Sequence, residues 1–240
     1  MNTFQREPSI VDLLTRLTRT ERDMKAAVER EKLWKGTACE LDAMPIPTNL
    51  QPIVALFPTV RFHWWTQGKM SEYLWDQKKK TETISIAHPK SWRLDVELNN
   101  DATSALLRKM TDEESQARFI LHEIAHATGA SHRLNRYTLR HSHNYGPAQV
   151  TEELVADLTA QKMMQHLGME SPAVKASINS YVASYVKLYE QNSGIANLHD
   201  ELIAEAKPFV DDAVRYLMKP LRTKRKPLPI HRQEKSLVMV

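Results

Sequence analysis

Apolar residues recur at helical spacing in both the first and the last parts of the chain, and between them lies a stretch that alternates instead. Ile10, Leu13, Leu14, Leu17, Met24 and Val28 form one stripe running to about Trp34, behind a Ser9/Asp12 pair spaced like a capping box. This predicts a long amphipathic N-terminal helix whose mixed-sign face, Arg16 to Glu31, is solvated. Pro45, Pro47 and Pro52 then mark a linker. Arg61–Trp65 and Thr81–Ala87 (TETISIA) read as strands, the second stopped by Pro89. The polar segment between them, with Lys78, Lys79 and Lys80, reads as a solvated loop tip.

From about residue 101 the helical period returns. Thr111 with Glu114 is a capping box and Gly129 a natural residue just past a helix end, predicting a helix from about 112 to 128. A second begins near Pro147 or Thr151 and stops at Gly168; a third runs from Ser171-Pro172 to about Asn192; a fourth spans roughly 198 to 218. The third carries Tyr181, Tyr185 and Tyr189 at i, i+4 and i+8, a packing stripe with wet hydroxyl tips. The expected class is α+β: a mostly helical domain at 46–218 with a small β-sheet, preceded by a helical extension and linker at 1–45 and followed by a basic, disordered tail at 219–240.

Composition narrows the chemistry. At 240 residues, 42% hydrophobic and 26% charged, the chain is that of a globular protein. No apolar run approaches the ~20 residues that span a bilayer, and MNTFQREPSIVDLL has no apolar segment behind a basic start, so a cytoplasmic location without membrane contact is expected. The single Cys39 rules out an internal disulfide and thiolate zinc sites, leaving His, Asp and Glu as metal ligands. The net charge is +4, but from Lys219 onward seven Lys or Arg stand against Glu234 alone, a surplus of six that leaves the body near −2. The body offers no electrostatic case for nucleic acid. Only the tail around Lys224, Arg225 and Lys226 is a candidate DNA contact, through counterion release, against the simpler reading of a solvated, disordered segment.

The densest chemistry is HEIAHATGASH, His122 to His132. His122 and His126 are four apart on the predicted helix, so they differ by about 40° in rotation and about 6 Å in rise and can lean toward one ion. Glu123 lies about 100° round from His122, where it can hold a water rather than the metal. This HExxH spacing competes with a plainer reading, two surface histidines on an amphipathic helix. Two sources of a third ligand are open. His132 completes HExxHxxGxxH. Alternatively, Glu153 of EELVAD could bind from the next long helix while Asp157, four residues on, accepts the free N–H of a ligating histidine; the plain alternative for EELVAD is an acidic first turn favoured by the helix dipole.

The run HEIAHATGASHRLNR followed by EELVAD resembles the zincin-like metallopeptidase domain of ArdC-type antirestriction proteins and of the polyvalent proteins of phages and plasmids. Thr128, Gly129, Arg133, Leu134 and Arg136 match the first block of that family and Glu152, Glu153, Leu154, Val155 and Ala156 the second. The similarity extends from about Val54 to about Leu217, with TETISIA similar to the family's edge strand and the Tyr181 helix to its packing helix. The resemblance implies Zn2+ held by His122, His126 and Glu153, with His132 a neighbour, and Glu123 as the catalytic base of peptide hydrolysis. It also implies that a protein or peptide substrate pairs with the strand at Ile84 to Ala87. His132, His143 and Tyr145 are candidates to steady the oxyanion. Three departures bear on specificity: Asp157 where the family usually has Glu, Ala130 where a His is frequent, and Tyr185 where a Trp is common. Relatives also carry a separate single-stranded-DNA-binding domain that the first ~50 residues are too few and too helical to form. The alternatives are a DNA-associated antirestriction protein whose metal site is structural or inactive, and an interaction module that docks or dimerises through its N-terminal helix.

Overall fold

In a computed structural model, residues 46–65, 71–76, 79–87, 102–142 and 147–223 are described. They begin with a 3-10 turn, Thr48–Leu50, that runs into a short helix, α1 (Gln51–Val54), with Pro52 in its first turn, where a missing N–H costs nothing. Three strands follow: β1 (Val60–Trp65), β2 (Glu72–Asp76) and β3 (Thr81–Ala87). The rest is helical: α2 (Ala102–Leu107), α3 (Asp112–Thr128), α4 (Tyr137–His141), α5 (Pro147–His166), α6 (Pro172–Ser193), α7 (His199–Leu217) and α8 (Lys219–Thr223). The mostly helical α+β class expected from the pattern is the one observed. No helix among the described residues is long and apolar enough to cross a membrane.

The helix signals act as the sequence suggests. Thr111 and Glu114 form a reciprocal capping box, with the Glu114 amide donating to Thr111 Oγ1 at 3.1 Å and the Thr111 amide to Glu114 Oε2 at 2.8 Å. Ser171 caps α6 ahead of Pro172, and Gly194 ends that helix at φ 71°, a left-handed position that glycine adopts without strain. Helix α5 is the hub, packed against α3, α4, α6 and α7. It buries residues on all sides, Leu154, Val155, Ala160, Met163 and Met164 together with Glu152 and Asp157, so the narrow apolar stripe of a surface helix is absent. Helix α8 packs on α1, joining the two ends of the described chain. Lys219–Thr223 is therefore helical, although a disordered tail was expected from residue 219.

The sheet departs from expectation. Its order is β1-β3-β2, with β1 parallel and β2 antiparallel to β3. TETISIA, expected to be the free edge, is the central strand, hydrogen-bonded on both sides: Ile84 pairs with Phe62 on one side and Tyr73 on the other. Its own composition explains this. Glu82, Ile84 and Ile86 share one face and are all buried, and Ser85 on the opposite face is buried too, a burden that suits a strand covered on both faces. The strand at Glu72–Asp76 falls in the segment read as polar loop, because its residues are half-buried except for an exposed Leu74 and show no alternation. Lys79 and Lys80 form the exposed turn between β2 and β3, as expected of a loop tip. The N-terminal helix expected before Trp34 lies outside the described residues, as do His143, Tyr145, Lys78 and the tail beyond Thr223.

Candidate metal centre

Helices α3 and α5 bring His122, His126 and Glu153 together, with one potential ligand atom of each within 4.8 Å of the others. His122 Nε2 and His126 Nε2 are 3.2 Å apart, and Glu153 Oε2 lies 3.4 Å from the first and 3.8 Å from the second. The rings meet edge to face at 83°, so the two nitrogens aim at one point rather than stacking. The i, i+4 spacing on α3 does this directly. Helix α5 supplies three carboxylates because Glu153 and Asp157 stand on one face and Glu152 beside them.

Each imidazole is held from behind. His122 Nδ1 is 3.0 Å from Asp157 Oδ1, the bond the i, i+4 spacing of Glu153 and Asp157 suggested. His126 Nδ1 is 3.0 Å from Glu152 Oε1. In the neutral tautomer whose Nδ1–H donates to these carboxylates, both Nε2 atoms present lone pairs, toward each other and toward Glu153. In that tautomer three acceptors converge on one point, which a bound cation would satisfy; without a cation the same closeness favours charged imidazoles that donate to Glu153. Charge agrees. Glu123, Glu152, Glu153 and Asp157 surround the imidazoles, and among the described residues Arg118 and Arg136 are the guanidiniums bonded to them, so with neutral imidazoles and ionised carboxylates a formal −2 is left for a divalent ion to balance.

The acidity of the groups follows from the same crowding. Burial disfavours the charged imidazoles, but Asp157, Glu153 and Glu123 hold His122 well above its ordinary value, and Glu152 and Glu153 raise His126 to about 9. Burial also opposes ionisation of Glu153, yet hydrogen bonding to the two histidines holds it well below the ordinary carboxylate range. Glu123, 2% exposed, is pushed up to about 7, chiefly by burial and against the pull of His122 and His126. Tyr185 is raised well above the usual phenol by burial and then by Glu153 and Asp157, so the tyrosine stripe of α6 includes a ring at the centre as well as packing residues.

His132 stands elsewhere. It is 43% exposed, its ring lies against Trp75 at 5.1 Å with a 42° tilt, and its Nε2 lies 3.6 Å from Glu82 Oε2. The Gly129 turn does not swing it toward the paired histidines: Gly129 has φ −76°, a helical value, so it is not the left-handed terminator its position suggests. Its lack of a side chain is needed for a different reason, because a Cβ there would lie 2.6 Å from Arg136 Nη2.

Two arginines of this turn went unassigned in the sequence. Arg136 donates from Nε to Glu152 Oε2 at 2.9 Å, from Nη2 to Glu152 Oε1 at 2.5 Å and to the Ala125 carbonyl at 2.8 Å, and from Nη1 to Thr128 Oγ1 at 2.8 Å. Arg133 makes a two-pronged bond to Glu82 at 2.5 and 2.7 Å, donates to the Ala127 carbonyl at 2.9 Å and lies over the Phe57 ring. Both therefore satisfy carbonyls at the C-terminal end of α3. Their signal was the R-x-x-R spacing of Arg133 and Arg136, which names two cations but not the buried acids they reach.

Residues 106–196 match a family model described as zincin-like metallopeptidase, a segment that holds both the HExxH helix and the EELVAD helix. The match leaves out the sheet and α7, which the resemblance from about Val54 to about Leu217 would include. No curated protein and no solved structure is significantly similar to the chain.

Proposed function

We propose that the protein is a zinc-dependent peptidase in which His122, His126 and Glu153 hold the metal and Glu123 is the general base. The observation that carries this reading is the convergence of three potential ligand atoms from two helices, with both Nδ1 atoms already engaged by Asp157 and Glu152. His/Asp/Glu ligands without thiolate, two nitrogens to one oxygen, suit zinc in a hydrolytic rather than a structural role. When bound, zinc supplies a Lewis acid that polarises the scissile carbonyl and makes water acidic near neutral pH. Glu123, next to the histidines and with its carboxyl raised to about 7, accepts the proton of the attacking water and passes it to the leaving amine. With β3 in the middle of the sheet, the extended substrate would add to the outer edge of β2, which packs on α3 and carries Trp75 beside His132. The similarity of HEIAHATGASHRLNR and EELVAD to ArdC-type domains supports an antirestriction or mobile-element setting for this hydrolysis.

Metal analysis of the purified chain tests the centre: about one zinc per chain is expected, lost in Glu153→Ala. Undiminished zinc in that variant would remove Glu153 from the site. Glu123→Gln should keep the metal and lose about 10²- to 10⁴-fold in hydrolysis of a bound partner, which it would trap uncleaved. Retained turnover would exclude Glu123 as the base.

A further inference from the structure

The two histidines are not supported alike. Behind His122, Asp157 Oδ1 takes both the imidazole and Arg118 Nη2, at 3.0 and 3.1 Å, while Asp157 Oδ2 and Arg118 Nε are buried with no hydrogen-bond partner among the described residues. Behind His126, Glu152 accepts from Arg136 twice, from Thr138 Oγ1 at 2.5 Å and from His126 Nδ1, so both its oxygens are occupied and it has no freedom to turn. Arg136 is itself fixed, 3% exposed, against Thr128 Oγ1 and the Ala125 carbonyl, in the space that the absent side chain of Gly129 leaves. A chain of contacts thus runs from the backbone of the Gly129 turn through a guanidinium and a carboxylate to one imidazole.

We infer that Arg136 is a positioning residue of the metal centre, acting through Glu152 to fix the ring orientation and Nδ1–H tautomer of His126 so that Nε2 faces Glu153. The inference rests on the metal-site reading above. A guanidinium suits the task because its planar fork grips both carboxylate oxygens, leaving Glu152 one geometry in which to receive the imidazole. Arg133 supplies an internal control. It lies three residues away, bonds an equally buried carboxylate through two guanidinium nitrogens (Nη1 and Nη2, where Arg136 uses Nε and Nη2), donates to a carbonyl at the end of the same helix, and among the described contacts bonds neither imidazole. If Arg136 only braces the turn, the two should behave alike.

The experiment compares the full chain with its Arg136→Met, Arg136→Lys and Arg133→Met variants. It measures zinc affinity by competition with a chromophoric chelator, the visible absorption of the cobalt-substituted protein, and the melting temperature. Arg136→Met is expected to weaken zinc binding by about 10- to 100-fold and to alter the cobalt spectrum, with Lys recovering part of the affinity. Arg133→Met should lower the melting temperature while leaving affinity and spectrum as in the parent. Equal zinc affinity and identical cobalt spectra in the Arg136 and Arg133 variants would overturn the inference. If Arg136→Met does not fold, Arg136→Lys decides by the same two metal readouts, because it keeps the charge and loses the fork. Failure of the parent chain to take up zinc is a separate result: it refutes the metal-site reading and the inference with it.

Discussion

Arg133 and Arg136 leave the same turn in opposite directions. Arg133 reaches the sheet, where Glu82 also accepts from Tyr73 at 2.7 Å and Thr59 at 2.8 Å; Arg136 reaches the helices, where Glu152 accepts from Thr138 and His126. Chemically the two are near duplicates: a buried carboxylate, a forked guanidinium, two further donors. They differ in the identity of one donor. Where it is a tyrosine, the cluster ties loop to strand and its consequence is stability. Where it is His126 of the proposed metal centre, the same bonds also set the orientation of a candidate ligand. Burial and hydrogen bonding alone therefore do not separate architecture from function; the last residue in the chain of contacts does.

The sharpest way to break the symmetry is to remove one member of the sheet-side pair. Glu82→Ala leaves a buried guanidinium unpaired and should cost about 3–5 kcal/mol of unfolding free energy in urea titrations, with zinc affinity unchanged in the folded fraction. Gly129→Ala tests the other side. Forcing a Cβ against the Arg136 guanidinium should cost about 1–3 kcal/mol and, unlike Glu82→Ala, weaken zinc binding. Thr111→Ala strips the cap from the far end of α3, and about 1 kcal/mol should be lost with no effect on the metal. The exposed Lys162–Asp211 pair, 2.7 Å apart with both side chains partly in solvent, sets the floor: Lys162→Met should change stability by less than about 1 kcal/mol.

Acid sharpens the contrast. Although burial opposes its ionisation, Glu82 is held at about 2 by hydrogen bonds from Arg133, Tyr73 and Thr59, against an ordinary value of 4.5. A carboxyl more acidic folded than unfolded stabilises the protein fully above the unfolded value and loses that contribution as pH falls through the folded one. Stability should decline from about pH 4.5 toward pH 2, and Glu82→Gln should flatten that decline. An unaltered acid profile in Glu82→Gln would show that the sheet-side cluster is not what the proton attacks.

The helices and the His122/His126 pair were legible because each rests on local rules: Thr111 and Glu114 bond to each other, and residues four apart share a face on any helix. Glu153, on another helix, came from the resemblance, since spacing alone left His132 open beside it. What the sequence concealed is non-local. β3 looks like an edge until β1 and β2 are seen on both its sides, and nothing within EYLWD foretells the antiparallel pairing that makes it a strand. Glu82 and Arg133 are 51 positions apart, and Glu152 and Arg136 are 16, so neither contact has a period to betray it. Gly129 was noticed, but for its freedom of backbone rotation. Its actual use, standing aside for a guanidinium, depends on where Arg136 returns.

Helix α8 resting on α1 has a consequence for how this fold can be carried. Its first and last described helices are neighbours, so residues 46–223 trace a nearly closed circuit. Such a circuit can be spliced into a host protein through a pair of adjacent junctions, or cut at a surface loop and rejoined at that seam, without stretching the helices that cradle the histidines.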